Sequence, residues 1–399
     1  MVRVFKKQIA LCKPSAFPLH LIHVLEDEDR SVQGFYQRVE KIVQESAFLH
    51  AMDSMQKDSL YQKHIKNMPC NSHLSYKKSG LPFTLIKDSE GDIYIQLKIN
   101  VLSANQQDND QRNRFFQAGS FSKMTLVYKI TGEQNGLYAA VVRRQNTDAQ
   151  VFQTSMQIIN NILNDQNNRD VLSNHLVLPK AFVPYLSEKE AHKKRLMSIQ
   201  PLMKGGSVLD YINNHNNVLT QDDLEKMIYD IVNAVERLHA HRYVHRDIKP
   251  DNIFVQLKDD GRLACIKLGD LDMMGSLLGP SGVKCGTVIY MPPELFSGNK
   301  LKWPAEGEGD VWAIGVTIVQ ILGFDISFSV PEGKTHRDID WQDVQNNMNA
   351  QFGKFKTTMV GQDERKKWIP VLEKIFLPKE GLIKIEALRE EIGKLVCLK

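Results

Sequence analysis

Apolar and polar residues alternate roughly over 81–87 and again over 92–98, on either side of Asp88-Ser89-Glu90-Gly91. A period of two flanking a Gly-containing turn predicts a β-hairpin. Pro82 falls at the start of the first run, where a strand tolerates it. Runs that read as strands recur at 124–130 and 137–143, with a short apolar pair, Phe115-Phe116, ahead of them. Over 149–163 the period lengthens, and Phe152, Met156, Ile159 and Leu163 share one face of a predicted helix. Beyond Gly205-Gly206 the helical period dominates. Thr220 predicts an N-cap, followed by Met227, Ile231, Ala234 and Leu238 on one face. Residues 34–66 carry mixed helical signals, and 104–114 are polar after the first, as in an exposed linker. The expected order is a mixed α/β N-terminal extension over 1–110, a β-rich region over 111–203 and a helical region over 204–399. The fold class is therefore α+β. The extension holds no recognisable chemistry and reads as a structural appendage.

Composition narrows the picture a little. Lys and Arg exceed Asp and Glu by only four charges, too few for a concentrated basic face, so nucleic acid is not expected as a partner. The five cysteines (Cys12, Cys70, Cys265, Cys285 and Cys397) are scattered, with no C-x-x-C pair. They read as free thiols of a reducing compartment rather than as disulfides or a zinc site. The apolar run Ile9-Ala10-Leu11-Cys12 is stopped by Lys13 and Pro14, too short for a signal segment, and no stretch approaches the length of a membrane span. A cytoplasmic protein is expected.

The densest chemistry lies in His245-Arg246-Asp247-Ile248-Lys249-Pro250-Asp251-Asn252. Phosphoryl transfer asks for a carboxylate to position the attacking hydroxyl, a cation on the γ-phosphate and hard oxygen ligands for Mg²⁺. Asp247, Lys249 and the side-chain oxygen of Asn252 suit those three tasks. Pro250 disfavours helix at Lys249, so the three side chains converge from a loop.

This string resembles the catalytic loop of eukaryotic-type protein kinases, and the Lys two residues after the Asp resembles the Ser/Thr branch. The resemblance runs over about residues 115–395. It implies a bilobal kinase fold, with a small antiparallel β-rich N-lobe and a helical C-lobe behind the extension. It also implies ATP and Mg²⁺ as cofactors, Ser/Thr hydroxyls of a protein substrate as acceptor, and no indication of the regulator. Gly269-Asp270-Leu271-Asp272 is similar to the metal-binding Asp-Phe-Gly, with Asp270 as the Mg²⁺ ligand beside Asn252. Asp272 stands where the family has Gly, which reduces backbone freedom and adds negative charge. Gly286-Thr287-Val288-Ile289-Tyr290-Met291-Pro292-Pro293-Glu294 resembles the peptide-docking segment, with Thr287 orienting Asp247. Asp310, opening an apolar helix, matches the residue that ties back to the catalytic-loop backbone in the family. Arg246 precedes the catalytic Asp as a cation that a phosphate or carboxylate of the activation segment would meet, with Ser276 and Ser281 as candidate phosphosites.

The nucleotide end departs from the family. Gln117-Ala118-Gly119-Ser120-Phe121-Ser122-Lys123-Met124 keeps one Gly of G-x-G-x-x-G, leaving Ala118, Gly119, Ser120 and Phe121 as the phosphate contacts. The ATP-anchoring lysine is absent. Val141 aligns with it directly. Arg143, two residues on and on the same strand face, is the expected substitute, and Lys123 is an alternative by analogy with the with-no-lysine kinases. The following helix carries no Glu, leaving Gln153 or Gln157 to take that place. Met197–Gly206 resembles the adenine connector, with Leu202 and Met203 as backbone contacts and Gln200 as gatekeeper. These losses keep a second expectation open, a pseudokinase that binds or scaffolds without turnover. The unfamiliar N-terminus and the run Glu386-Ala387-Leu388-Arg389-Glu390-Glu391 are also similar to kinases that intracellular bacterial pathogens deliver into host cells, which implies the host cytosol as a further location.

Overall fold

The structure, a computed structural model, describes residues 21–25, 32–75, 81, 83–102, 122–131, 135–143, 149–186, 194–215, 219–279, 286–296, 306–327, 339–359, 361–378 and 381–396. In chain order the elements are β1 (Leu21–Leu25), α1 (Val32–Gln44), α2 (Ser46–Gln56), α3 (Ser59–Asn67), β2 (Ser72–Leu74), β3 (Leu85–Lys87), β4 (Ile93–Gln96) and β5 (Lys98–Leu102). Then come β6 (Ser122–Lys129), β7 (Gly136–Arg143), α4 (Ala149–Asn164), α5 (Gln166–Leu172), β8 (Ala181–Leu186) and β9 (Lys194–Pro201). The helix-rich remainder runs α6 (Val208–His215), α7 (Gln221–Ala240), β10 (Tyr243–Val244), β11 (Ile253–Leu257), β12 (Leu263–Leu268) and β13 (Gly275–Ser276). It closes with α8 (Glu306–Ile321), α9 (Trp341–Thr358), α10 (Asp363–Lys366), α11 (Ile369–Phe376) and α12 (Ile385–Leu395). Chain contacts divide these into two compact units. One holds Met1–Thr147 and Pro179–Lys204, the other Asp148–Leu178 and Gly205–Lys399.

The first unit is built on one antiparallel sheet ordered β2-β3-β4-β6-β7-β9-β8. Period-two patterning sorts its side chains cleanly. Leu126 and Tyr128 of β6 turn to one face, with Leu85, Ile93 and Ile95, where α1 and α2 supply Phe35, Val39, Phe48, Met52 and Met55 and α3 supplies Tyr61. The opposite face carries Ile86, Tyr94, Val127, Ala140, Val142, Val183, Met197 and Ile199 as a second core. The terminal strands β2 and β8 approach each other, with the His73 and Tyr185 ring centroids 4.9 Å apart, so the sheet curls toward closure.

Two sequence expectations change here. The hairpin expected at 81–98 exists as β3–β4, but β4 pairs with β6 through Tyr94↔Lys129 and Gln96↔Val127. The sheet therefore runs across the expected boundary between 110 and 111, because the strand beyond it would otherwise leave an unpaired edge. The expected N-lobe over 111–203 also loses its helices. α4 groups with the second unit, where it packs on the single helical turn Leu271–Met273 and on β13.

In the second unit α7 starts at the expected cap. The Thr220 hydroxyl accepts from the Asp223 N–H, and Asp223 accepts in return from the Thr220 N–H, a reciprocal capping box. α8 is apolar nearly all round, and Val311, Trp312, Ile314, Val316, Ile318 and Val319 are all buried, as a central helix requires. α12 docks on α7, with Leu388 and Ile392 buried and Arg389 Nε donating to Glu236 Oε1 at 2.7 Å. The acidic run at 386–391 thus belongs to a packed helix. Among the described residues, no helix is long and apolar enough to cross a membrane.

Candidate active site

The sequence ingredients for the site lie between β10 and β11 and just after β12. The β11–β12 ladder pairs Ile253 with Leu268, and one step further Gly269 N–H donates to the Asn252 carbonyl at 2.8 Å. That ladder carries Asn252 and Asp270 to the same end of a two-stranded hairpin, although 18 positions separate them in the chain. Pro250 starts a single 3-10 turn, Pro250–Asn252, which brings Asn252 back onto Asp247.

Asn252 Nδ2 donates to the Asp247 carbonyl at 2.8 Å and to Asp247 Oδ2 at 2.7 Å. Lys249 Nζ donates to the same Oδ2 at 2.9 Å and to Thr287 Oγ1 at 3.1 Å. Four predicted residues, Asp247, Lys249, Asn252 and Thr287, thus meet in one hydrogen-bonded group. Thr287 reaches Asp247 through Lys249. Asp247 is only 5% exposed, yet its Oδ1 has no hydrogen-bond partner among the described residues. Leaving such an oxygen buried and unpaired costs about 1–3 kcal/mol. A group held in that state is set up to accept a hydrogen bond from something that arrives later.

Gly286 forms the wall beside that oxygen, and the sequence pattern did not single it out for this. Its φ is +101°, and a Cβ placed there would lie 2.8 Å from the Arg246 carbonyl and 3.2 Å from Asp247 Oδ1. Any side chain would therefore clash with backbone and crowd the carboxylate. The only advance signal was a Gly immediately before Thr287.

The loop is clamped from below by Asp310, which is 1% exposed. Its Oδ2 accepts from the His245 N–H at 2.8 Å and from His239 Nε2 at 2.9 Å, and its Oδ1 accepts from the Arg246 N–H at 2.8 Å. Burial alone would raise its pKa. The His239 hydrogen bond, the nearby His239 and His245, and the His245 N–H outweigh that, so the carboxyl sits below its usual range. This clamp holds Arg246 at φ +68°, a left-handed conformation that costs an ordinary side chain about 1–2 kcal/mol. The Arg246 guanidinium lies over Gly275, where a Cβ would come within 2.2 Å of its Cζ. His245 links the two halves of the site. Its Nε2 donates to the Gly269 carbonyl at 2.9 Å, which leaves Nδ1 to accept from the Asp247 N–H at 3.3 Å. The sequence pattern pointed to neither His239 nor the ring of His245, because their partners lie 71 and 24 residues away.

Asp270 has φ +51°, a second left-handed residue, at the N-terminal end of the turn Leu271–Met273 that includes Asp272. With both of its amide hydrogens directed at Asp247, Asn252 has its oxygen left for a hard cation, and Asp270 follows directly on the Gly269 that donates to the Asn252 carbonyl. That donor set suits Mg²⁺, which binds through one or two protein oxygens and completes its shell with phosphate and water. No group of three or more His, Cys, Asp or Glu poised for a metal occurs among the described residues, and Mg²⁺ does not need one.

The expected nucleotide contacts belong to the sheet unit. Arg143 ends β7 and pairs with Ser122, and Val141 pairs with Met124. Leu202 and Met203 follow β9 and are partly buried, and Gln200 pairs with Ala139. Ala118, Gly119, Ser120, Phe121 and Ser281 lie outside the described residues. On α4, Gln153 and Gln157 are both exposed. Ser276 pairs with Tyr243 in the short β10–β13 ladder, and its Oγ accepts from the Leu278 N–H at 3.2 Å.

Comparison with known proteins matches residues 119–376, more than half of the chain, to the family described as Protein kinase domain. The chain is 36% identical over 132 residues to the serine/threonine-protein kinase DCLK1 of Rattus norvegicus, covering 32% of this chain and 29% of that one. It is 38% identical over 132 residues to the serine/threonine-protein kinase DCLK2 of Mus musculus, covering 32% and 16%. Over a longer span of 215 residues it is 26% identical to the serine/threonine-protein kinase SIK1 of Rattus norvegicus, covering 53% and 26%. The matched region thus spans under a third of each relative's length.

Proposed function

Because the chain belongs to the protein kinase domain family, we propose that it transfers the γ-phosphoryl group of ATP, with Mg²⁺, to Ser or Thr hydroxyls of protein substrates. The observation that carries this is the buried carboxylate of Asp247, held on one oxygen by Asn252 and Lys249 and unpartnered on the other. In this reading Oδ1 accepts the hydroxyl proton of the incoming Ser or Thr and aims its oxygen at phosphorus. Lys249 is shared between Asp247 and Thr287 and offers its ammonium to the γ-phosphate. Asn252 and Asp270 hold the metal through oxygen. Bound Mg²⁺ would neutralise phosphate charge that the protein side chains leave uncompensated. In the sheet unit, Arg143 is our choice for the cation at the phosphates, and the backbone at Leu202 and Met203 for adenine. The serine/threonine-protein kinases among the relatives support the acceptor class.

A second reading, a kinase-fold binding or scaffolding module without turnover, has one specific observation in its favour. α4 offers no carboxylate, and the glutamines that could replace one point to solvent. Radiolabelled ATP with a Ser/Thr peptide library separates the two. Wild type should label peptide, and Asp247→Ala should label about 10²–10⁴-fold less. Equal signal from both proteins would discard the enzymatic reading and leave the scaffold.

A further inference from the structure

The helices of the N-terminal extension do more than cover the sheet. The core they share with β3, β4 and β6 also receives Met124, Leu137 and Leu202, each partly buried against it. Met124 is the third residue of β6 and the last of the glycine-poor segment 117–124. Leu202 lies in the connector expected to hold adenine. The helical layer is tied to the connector and to the far end of β6 by specific contacts. Glu40 of α1 accepts from Lys204, two residues past Leu202, at 2.5 Å. Phe48 of α2 packs edge-on against Tyr128 of β6, with ring centroids 5.1 Å apart. Gln56 at the end of α2 donates to the Ile130 carbonyl at 3.0 Å, just past β6. Three successive contacts along two helices therefore grip one strand and the connector.

From this we infer that α1 and α2 act as a brace for the nucleotide connector, with Glu40 as a positioning residue that fixes Lys204 and, through it, the backbone at Leu202 and Met203. The inference rests on the phosphotransfer reading, since it gives that same connector a partner inside the chain. The physical case is one of restraint. Pro201 ends β9, and Gly205-Gly206 follow Lys204, with Gly206 at φ +73°. A connector bounded by glycines loses conformational freedom only if something outside it holds it. Leu202 supplies an apolar anchor and Lys204 a charged one, both on the same helical layer. The altered glycine segment and missing lysine leave fewer contacts to order the site from the nucleotide side, so restraint of the connector carries more of the binding.

The pair is half-exposed, with side-chain exposures of 42% for Lys204 and 30% for Glu40, so removing it should leave the fold intact. The test measures the dissociation constant of ATP in excess Mg²⁺ by calorimetry on the full chain. Glu40→Ala should weaken binding about two- to five-fold, the range an exposed ion pair supports. The double exchange of Glu40→Lys with Lys204→Glu should recover most of the loss. Lys57→Ala, which breaks an exposed Lys57–Asp53 pair at the end of α2 that does not involve Lys204, should leave binding unchanged. Equal affinity of Glu40→Ala and wild type overturns the brace, as does an equal loss in Lys57→Ala. Wild-type protein that binds no ATP sinks the phosphotransfer reading, and the brace falls with it.

Discussion

Gly286 shows how much one hydrogen atom in place of a methyl group decides. Gly286→Ala would put a Cβ against the Arg246 carbonyl and into the space beside Asp247 Oδ1, at a φ that L residues avoid. The expected result is at least a tenfold fall in peptide phosphorylation with a melting temperature only a few degrees lower, read by steady-state kinetics and thermal denaturation. Glu294 offers a contrasting case. Its Oε2 is buried and has no partner among the described residues, and burial first, then Glu308, raises its pKa, against the lowering effect of a backbone hydrogen bond. A carboxyl whose folded pKa is raised favours the fold most when protonated, and that contribution fades as pH rises through the folded value. Glu294→Gln keeps the shape and removes the charge. It should raise the melting temperature at pH 7–8 and flatten the decline of stability between acid and neutral pH, measured by calorimetric scans across that range. An unchanged profile would show that Glu294 ionises freely in the fold.

At the scale of elements, the loop that carries Asp247 is as good as the helix that clamps it. Asp310 on α8 holds three groups, two of them backbone N–H donors of the loop that carries Asp247. Its depressed pKa means that its charged form stabilises the fold above the usual carboxylate value and that this support is lost as pH falls below about 4. Asp310→Asn should cost about 3 kcal/mol, shorten the acid limb of the stability profile and depress turnover, because Arg246 loses the clamp on its left-handed backbone. Chemical denaturation at several pH values checks the first two, and peptide phosphorylation the third. Much of this element logic was legible in the residues alone. Thr220 announced α7, the apolar run after Asp310 announced α8, and the alternation at 81–98 announced β3–β4. What the pattern could not show was α4's allegiance. Its apolar face reads the same whichever unit it covers, and the tertiary fold supplies the turn at Leu271–Met273 and β13 as the surface it packs on.

At the scale of the whole chain, the two units are interleaved, and the chain passes between them after Thr147, Leu178 and Lys204. A chain starting at residue 111 would lose α1–α3 and β2–β4, exposing Leu126, Tyr128 and Ile130 along with an unpaired edge of β6. It should be insoluble or melt without cooperativity, whereas the full chain should melt cooperatively. Soluble yield and a thermal melt of both proteins test this. The sequence alone determined that Asp247, Lys249 and Asn252 meet, because those side chains stand within six residues on a loop that Pro250 and the β11–β12 ladder shape locally. The course of the extension was decided only by tertiary structure. Tyr94 meets Lys129, and Glu40 meets Lys204 across 164 positions, through pairings that no local pattern specifies. A strand or helix face advertises that it must be buried, but the partner that buries it is chosen by the three-dimensional competition among all such faces.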